Sequence, residues 1–152
     1  MEWHSGDFTI STDKARLDLD SIHAWLSSTY WAEGIPRETV ERSLQHSLVF
    51  GIYTGQKQVG LARVVSDFAT FAYLGDVFID EQYRGQSLGK WLIETIISHP
   101  DLQGLRNWHL ATRDAHGLYE QFGFKTLDDP KRIMRRHDPD VYKRAKPTQK
   151  ES

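Results

Sequence analysis

Arg84-Gly85-Gln86-Ser87-Leu88-Gly89-Lys90 is the stretch whose residue types and spacing come closest to doing chemistry. Its two glycines and two cations straddle the start of a segment in which Leu88, Trp91, Leu92 and Ile96, all apolar, recur at helical spacing. Main-chain N–H groups at a helix N-terminus have no intrahelical partner and carry partial positive charge, so they form a seat for phosphate. Glycine lets the backbone approach such a phosphate closely, and Arg84 and Lys90 add cationic charge. Two familiar phosphate loops fail on spacing. Gly85 and Gly89 enclose three residues where a Walker A loop has four, and Trp91 follows Lys90 where that loop needs Ser or Thr. The dinucleotide fingerprint needs a third glycine and an acidic residue near the end of the next strand, and neither is present.

The elements around the cradle must hold it in place. Tyr73 to Ile79 reads as a buried strand, the end of a central strand from Phe71, and the helix after the cradle runs to His99, stopped by Pro100. Upstream, Phe8 to Ser11 reads as a short strand, and Asp20 or Ser21 caps a helix burying Ile22, Trp25 and Leu26. Tyr30-Trp31-Ala32-Glu33-Gly34 breaks that helix, and Pro36 suits the first turn of a second one carrying Val40 and Leu44. Leu48 to Tyr53, a turn at Thr54 to Lys57, and Gln58 to Ser66 form a hairpin. Arg106 to Thr112 reads as a strand, Asp114 as the cap of a helix from Ala115 to Phe122 ending at Gly123, and Phe124–Leu127 and Arg132–Arg136 as further strands. Antiparallel strands feeding βα units give an α/β fold with a mixed sheet and helices on its faces.

The cradle, read as Arg-x-x-(Gly/Ser)-x-Gly, resembles the acyl-coenzyme A pyrophosphate loop of the GCN5-related N-acetyltransferase (GNAT) superfamily. Arg84 and Gly89 match, and Ser87 replaces the middle glycine, which is mild provided residue 87 keeps a negative φ and offers its N–H. Ala115-His116-Gly117-Leu118-Tyr119-Glu120-Gln121-Phe122-Gly123-Phe124 is similar to the family's Ala-x-x-(Leu/Phe)-Tyr-x-x-x-Gly-Phe signature, in which the Tyr lies beside the coenzyme sulfur. Thr112 stands where the family usually has an Asn that hydrogen-bonds the pantetheine arm. The likeness covers residues 47 to 137 well and the N-terminal third loosely. It implies a central, mostly antiparallel mixed sheet flanked by helices on both faces. It also implies acetyl-CoA as cosubstrate, gripped by Arg84, Gly85, Gln86, Ser87, Leu88, Gly89 and Lys90.

The implied reaction moves an acetyl group from a thioester directly to a primary amine. Pantetheine would pair with the main chain of Val77, Phe78 and Ile79, whose N–H groups would also polarise the thioester carbonyl. Gly75 would permit the bulge that opens the sheet there. Tyr119 would protonate the departing sulfur as thiolate forms, since a phenol of pKa about 10 can supply that proton to a thiol of about 8.5 only at that moment. An amine near pKa 10.4 must shed a proton, and Asp76 is the first candidate acceptor, Glu33 the second; some family members bind an already neutral amine and need neither. Tyr73 takes roughly the position of a basic Glu in some relatives. Tyr30, Trp31 and Glu33 fall where the family's first two helices wall the acceptor groove, and aromatic rings beside a carboxylate suit a cationic or aromatic amine. The expected acceptor is a small-molecule amine. A protein or peptide amine is the alternative within enzymes, and a catalytically silent acyl-CoA sensor is the alternative outside them.

Bulk properties narrow the field. The chain has 152 residues, with residues 1–142 expected as one domain and 143–152 as a polar tail prone to fray. A net charge of −2 gives no general attraction to nucleic acid, and the basic run Lys131, Arg132, Arg135, Arg136 reads as solvated charge. Zero cysteines exclude disulfides, thiolate metal sites and an acyl-cysteine intermediate. The seven histidines lack metal-binding spacing, so no metal is expected. No apolar run approaches a membrane span and Met1-Glu2-Trp3-His4 lacks a signal peptide's character, leaving cytoplasm as the expectation. Exposed edge strands make a homodimer an expected possibility.

Overall fold

The computed structural model describes residues 1–144, so the expected tail beyond residue 144 lies outside the described residues. Six strands form one sheet in the order β1 (Glu2–Ser5), β2 (Phe8–Ser11), β3 (Leu48–Thr54), β4 (Lys57–Ser66), β5 (Phe71–Ile79) and β6 (Asn107–His109). All neighbours are antiparallel except β5 and β6. Strand alternation sends side chains to opposite faces, and each face builds its own core. Phe50, Ile52, Ala62, Val64, Ala72 and Leu74 meet Leu88, Leu92, Ile93 and Ile96 of α3 (Leu88–Ile97), with Tyr119 from α4 (His116–Glu120) in the same cluster. Val49 and Leu61 face the other way and pack on Ile22 and Leu26 of α1 (Leu19–Ser27) and Val40 and Leu44 of α2 (Arg37–Gln45).

The feature that positions the site is a mismatch in pairing. β5 has nine residues, yet it pairs with β6 only through Phe71↔Asn107, Ala72↔Trp108 and Tyr73↔His109. Beyond Tyr73 the two strands part, so Gly75 to Ile79 borders a cleft rather than a neighbouring strand and is only half-buried. The expected continuous burial from Tyr73 to Ile79 therefore holds only at Leu74, with Tyr73 exposed and Gly75 to Ile79 half-buried.

Several boundaries differ from expectation for local reasons. β1 is an added edge strand of mostly exposed residues. Asp18, rather than Asp20 or Ser21, caps α1, its carboxylate accepting from the Ser21 N–H at 3.2 Å. Thr112, rather than Asp114, serves the turn into α4, its hydroxyl accepting from the Ala115 N–H at 3.0 Å. β6 keeps three of the seven expected residues, and α4 is five residues long. The strands expected over 124–127 and 132–136 do not form. Among the described residues that stretch holds only a 3₁₀ turn at Pro130–Arg132 before the terminal turn α5 (Val141–Arg144). Phe124 packs on the α3 side of the sheet and Tyr142 on the α1 side, so the segment between them straps across the free edge of β6.

Candidate acyl-transfer site

The cradle forms at the β5–α3 junction. Gly85 sits at φ 83° and Ser87 at φ 64°, and α3 starts at Leu88 with no side-chain cap. The negative φ expected at Ser87 is not observed. This is a left-handed position, which explains why glycine suits it and implies a cost of about 1–2 kcal/mol for a residue with a Cβ. That turn leaves the main-chain N–H groups of residues 85–90 without a protein acceptor among the described residues. Leu88 anchors the turn in the core while Arg84, Gly85, Gln86, Ser87 and Lys90 are exposed. Arg84 is partly committed: its Nε donates to the Ile79 carbonyl at 2.9 Å and its guanidinium lies 5.2 Å from the Phe78 ring centre. A row of free amides on a ten-residue helix fits a diphosphate well.

Across the cleft floor, β5 carries a bulge. Arg63 pairs with Gly75 and Leu61 with Phe78, so β5 has one residue more than β4 between those pairs. The positive φ needed there falls on Asp76 (φ 53°), not on Gly75. Asp76 is thus brought to the cleft, but both carboxylate oxygens are engaged. One accepts from Arg63 Nε at 2.8 Å and the other from Trp31 Nε1 at 3.0 Å. Arg63 also donates to the Ser47 hydroxyl at 3.2 Å. The side chains of Arg63 and Asp76 are 22% and 11% exposed, so this is a largely desolvated pair. Phe78 stacks on Trp25 of α1 at 5.4 Å, further fixing the strand to the helix above it.

The loop between α1 and α2 forms the opposite wall. Ala32 and Ile35 are buried, the Thr29 hydroxyl accepts from the Ala32 N–H at 3.2 Å, and a ring nitrogen of His23 meets the Ile35 carbonyl at 2.9 Å. With these anchors inside, Tyr30 and Trp31 turn outward, 52% and 45% exposed, as an edge-to-face pair 5.1 Å apart. Glu33 is exposed on the same loop. The face of Tyr30 is already covered by Arg113, whose guanidinium carbon is 3.8 Å from the ring centre. The expected seat for a cationic acceptor on these rings is therefore occupied at Tyr30 by the protein's own cation.

Tyr119 completes the arrangement. It is 8% exposed, and burial followed by the neighbouring Tyr30 pushes its phenol above the usual value. Its hydroxyl makes no hydrogen bond to the described residues, while Gly123 (φ 91°) ends the helical turn and returns Phe124 to pack edge-on against the ring at 6.0 Å. A Cβ at Gly89 would lie 4.0 Å from Leu118, so the cradle helix and the Tyr119 helix touch at the cleft. Beside Tyr119 opens a cavity of 560 Å³, to which Tyr73, Thr112 and His109 contribute; the cradle residues do not line it. Tyr73 is 38% exposed. Among the described residues no group of three His, Cys, Asp or Glu side chains is placed to hold a metal, and no helix is long and apolar enough to cross a membrane.

Residue patterns did not single out Arg63 or Arg113, and they placed Trp25 in the core without its stacking on Phe78. Arg63 had a usable signal: it is the one charge inside the apolar run Val59 to Val65, and a charge there needs a buried partner. The Trp25–Phe78 and Arg113–Tyr30 contacts had none, because the partners are remote in sequence.

Comparison with known proteins agrees with the geometry. The family model described as an acetyltransferase (GNAT) domain matches residues 45–126. A GNAT-family protein of Xanthomonas campestris pv. campestris, provisionally assigned as an acetyltransferase, has a crystal structure that is 48% identical with a TM-score of 0.86. The match covers 89% of this chain and 96% of that one. A protein of Gibberella zeae, also provisionally named an acetyltransferase, is 36% identical over 142 residues, covering 78% of this chain and 79% of its own. The fold is shared with a GNAT acetyltransferase of Elizabethkingia anophelis solved with acetyl-CoA bound, at 14% identity and a TM-score of 0.63, over 82% of this chain and 80% of that one. The chain belongs to the GNAT acetyltransferase family. It is an acetyltransferase built on a six-stranded, mostly antiparallel sheet with helices on both faces.

Proposed function

We propose that the protein transfers the acetyl group of acetyl-CoA directly to the primary amine of a small molecule. The observation that carries this reading is the unengaged hydroxyl of Tyr119, a residue that lines the cavity and sits on a helix touching the one that carries the free amides. Those amides, with Lys90 and the free nitrogens of Arg84, hold the diphosphate. The main chain of Val77 to Ile79, freed from β6, receives the pantetheine amides and donates to the thioester oxygen as negative charge develops on it. The neutral amine attacks the carbonyl carbon, the C–S bond breaks, and Tyr119 gives its proton to the sulfur. Burial keeps the phenol protonated across the neutral range, as a general acid requires. The surplus proton of the amine leaves by water or Glu33. Asp76 is poorly free to take it, because an approaching proton must displace Arg63 or Trp31.

A cavity of 560 Å³ is the size of a small-molecule site, which supports a small acceptor. Thiol release from acetyl-CoA followed with DTNB across an amine panel, with mass spectrometry of the product, tests the reading. Turnover with a small amine supports it; turnover only with peptides favours the protein-acetylating alternative. Binding of acetyl-CoA without turnover for any amine leaves the sensor.

A further inference from the structure

The cavity beside Tyr119 lies between β6 and the strap that crosses its free edge, and its chemistry is uneven. Leu110 of the chain after β6 and Leu127 and Ile133 of the strap supply apolar lining, the last two about half exposed at 46% and 49%. The cations that line it, Lys125 and Arg135, come from the strap or its root, whereas the one lining carboxylate, Glu120, follows Tyr119 on α4. Neither Lys125 nor Arg135 makes an ion pair among the described residues, although the chain as a whole is net negative. Apolar walls with a few convergent polar groups are the usual make-up of a small-molecule site, and this volume lies within the range of such sites.

We propose that this cavity is the acceptor chamber and that its ligand is an amino carboxylate with an apolar body, such as an apolar α-amino acid, oriented by Arg135 and Lys125. This rests on the acetyl-transfer reading above and narrows its substrate class. The ammonium end is drawn toward Glu120 and so toward Tyr119, where the sulfur leaves. The carboxylate is drawn to the strap, where an Arg fork offers paired donors and Lys a point charge. The apolar body lies on Leu110, Leu127 and Ile133. A simple cationic amine gains only the Glu120 end and meets two uncompensated cations at the other.

Matched acceptors separate the alternatives: L-phenylalanine against 2-phenylethylamine, L-leucine against 3-methylbutylamine, and L-methionine against 3-(methylthio)propylamine. Each is assayed by DTNB thiol release with the full chain, alongside calorimetric binding of acetyl-CoA. The expected result is a kcat/KM at least tenfold higher for the amino acid in at least one pair, with that ratio falling about tenfold to a hundredfold in Arg135→Gln and falling also in Lys125→Gln. Turnover of the decarboxylated amines as fast as or faster than the amino acids overturns the chamber's assigned ligand while leaving acetyl transfer intact. So does a ratio that both variants leave unchanged. Bound acetyl-CoA with no thiol release from any amine overturns both readings together.

Discussion

Trp31 and Asp76 stand 45 positions apart in sequence and share one hydrogen bond, and that bond ties the loop between α1 and α2 to the central strand. Asp76→Asn tests what the carboxylate is for. The Arg63–Asp76 pair is 2.8 Å long with side chains only 22% and 11% exposed, so the substitution leaves a largely desolvated guanidinium facing a neutral amide. Breaking a fully buried pair costs about 3–5 kcal/mol. Partial exposure, the surviving bond from Arg63 to Ser47 and the acceptor oxygen retained by Asn reduce this to roughly 2–3 kcal/mol. Asn tolerates the left-handed backbone at this position as well as Asp does. Asp76→Ala does not, and should lose about 1–2 kcal/mol more. Trp31→Phe removes only the indole donor at a half-exposed site and should cost about 1 kcal/mol. Urea unfolding gives the stabilities, and hydrogen–deuterium exchange across residues 28–36 reports the loop. All three variants should speed exchange there while leaving residues 85–90 unchanged. With an acceptor in hand, Asp76→Asn should raise its KM more than it lowers kcat and should keep the pH profile. Unaltered loop exchange in Asp76→Asn would refute the tie. A hundredfold drop in kcat with loss of a pH limb would restore Asp76 as the base.

Tyr119→Phe should lower the rate on the order of 10² to 10⁴ while acetyl-CoA still binds, measured by DTNB release beside calorimetry. In the wild type the alkaline fall in kcat/KM should lie above the ordinary phenol value of about 10, because burial raises the Tyr119 pKa; a fall centred below it would remove Tyr119 as the acid. Ser87→Gly relieves a left-handed residue worth about 1–2 kcal/mol against a glycine entropy cost of roughly 0.5–1, so a net gain of about 0.5–1 kcal/mol in urea unfolding is expected. His99 is buried against Trp3 and Phe50, and desolvation lowers its pKa in the folded state. The unfolded chain then binds the extra proton first, so stability should fall as pH drops below about 6.5. His99→Asn, which keeps an acceptor for the Asp101 N–H, should show a shallower fall in urea midpoint between pH 7.5 and 5.5.

Residues that advertise a local conformation were legible in the sequence. The glycines around the cradle, the central strand from Phe71 to Ile79 and the hairpin turn at Gly55 each follow from neighbours only a few positions away. What escaped depends on distant partners. β1 has one apolar residue, Trp3, too few for an alternating apolar face to be read, and exists because β2 offers it an edge. The strap reads as strands through Phe124 and Ile133, yet its residues from 125 to 136 are exposed and find no strand to pair with. The positive φ at Asp76 was expected at Gly75, since glycine is the usual residue there; the pairing with Arg63 and Trp31 sets the other choice. The Tyr119 position was legible only through resemblance to a family, because nothing in its own spacing separates it from a core tyrosine.

The central claim is that the backbone between Gly85 and Lys90 grips a diphosphate while Tyr119 faces the sulfur it serves. Titrating coenzyme A into the ¹⁵N-labelled chain and following its amide correlation spectrum tests this directly. The account requires saturable shifts at residues 85–90, at Val77 to Ile79 and at Tyr119. Saturable binding that leaves those amides in place, or no binding at all, would contradict it.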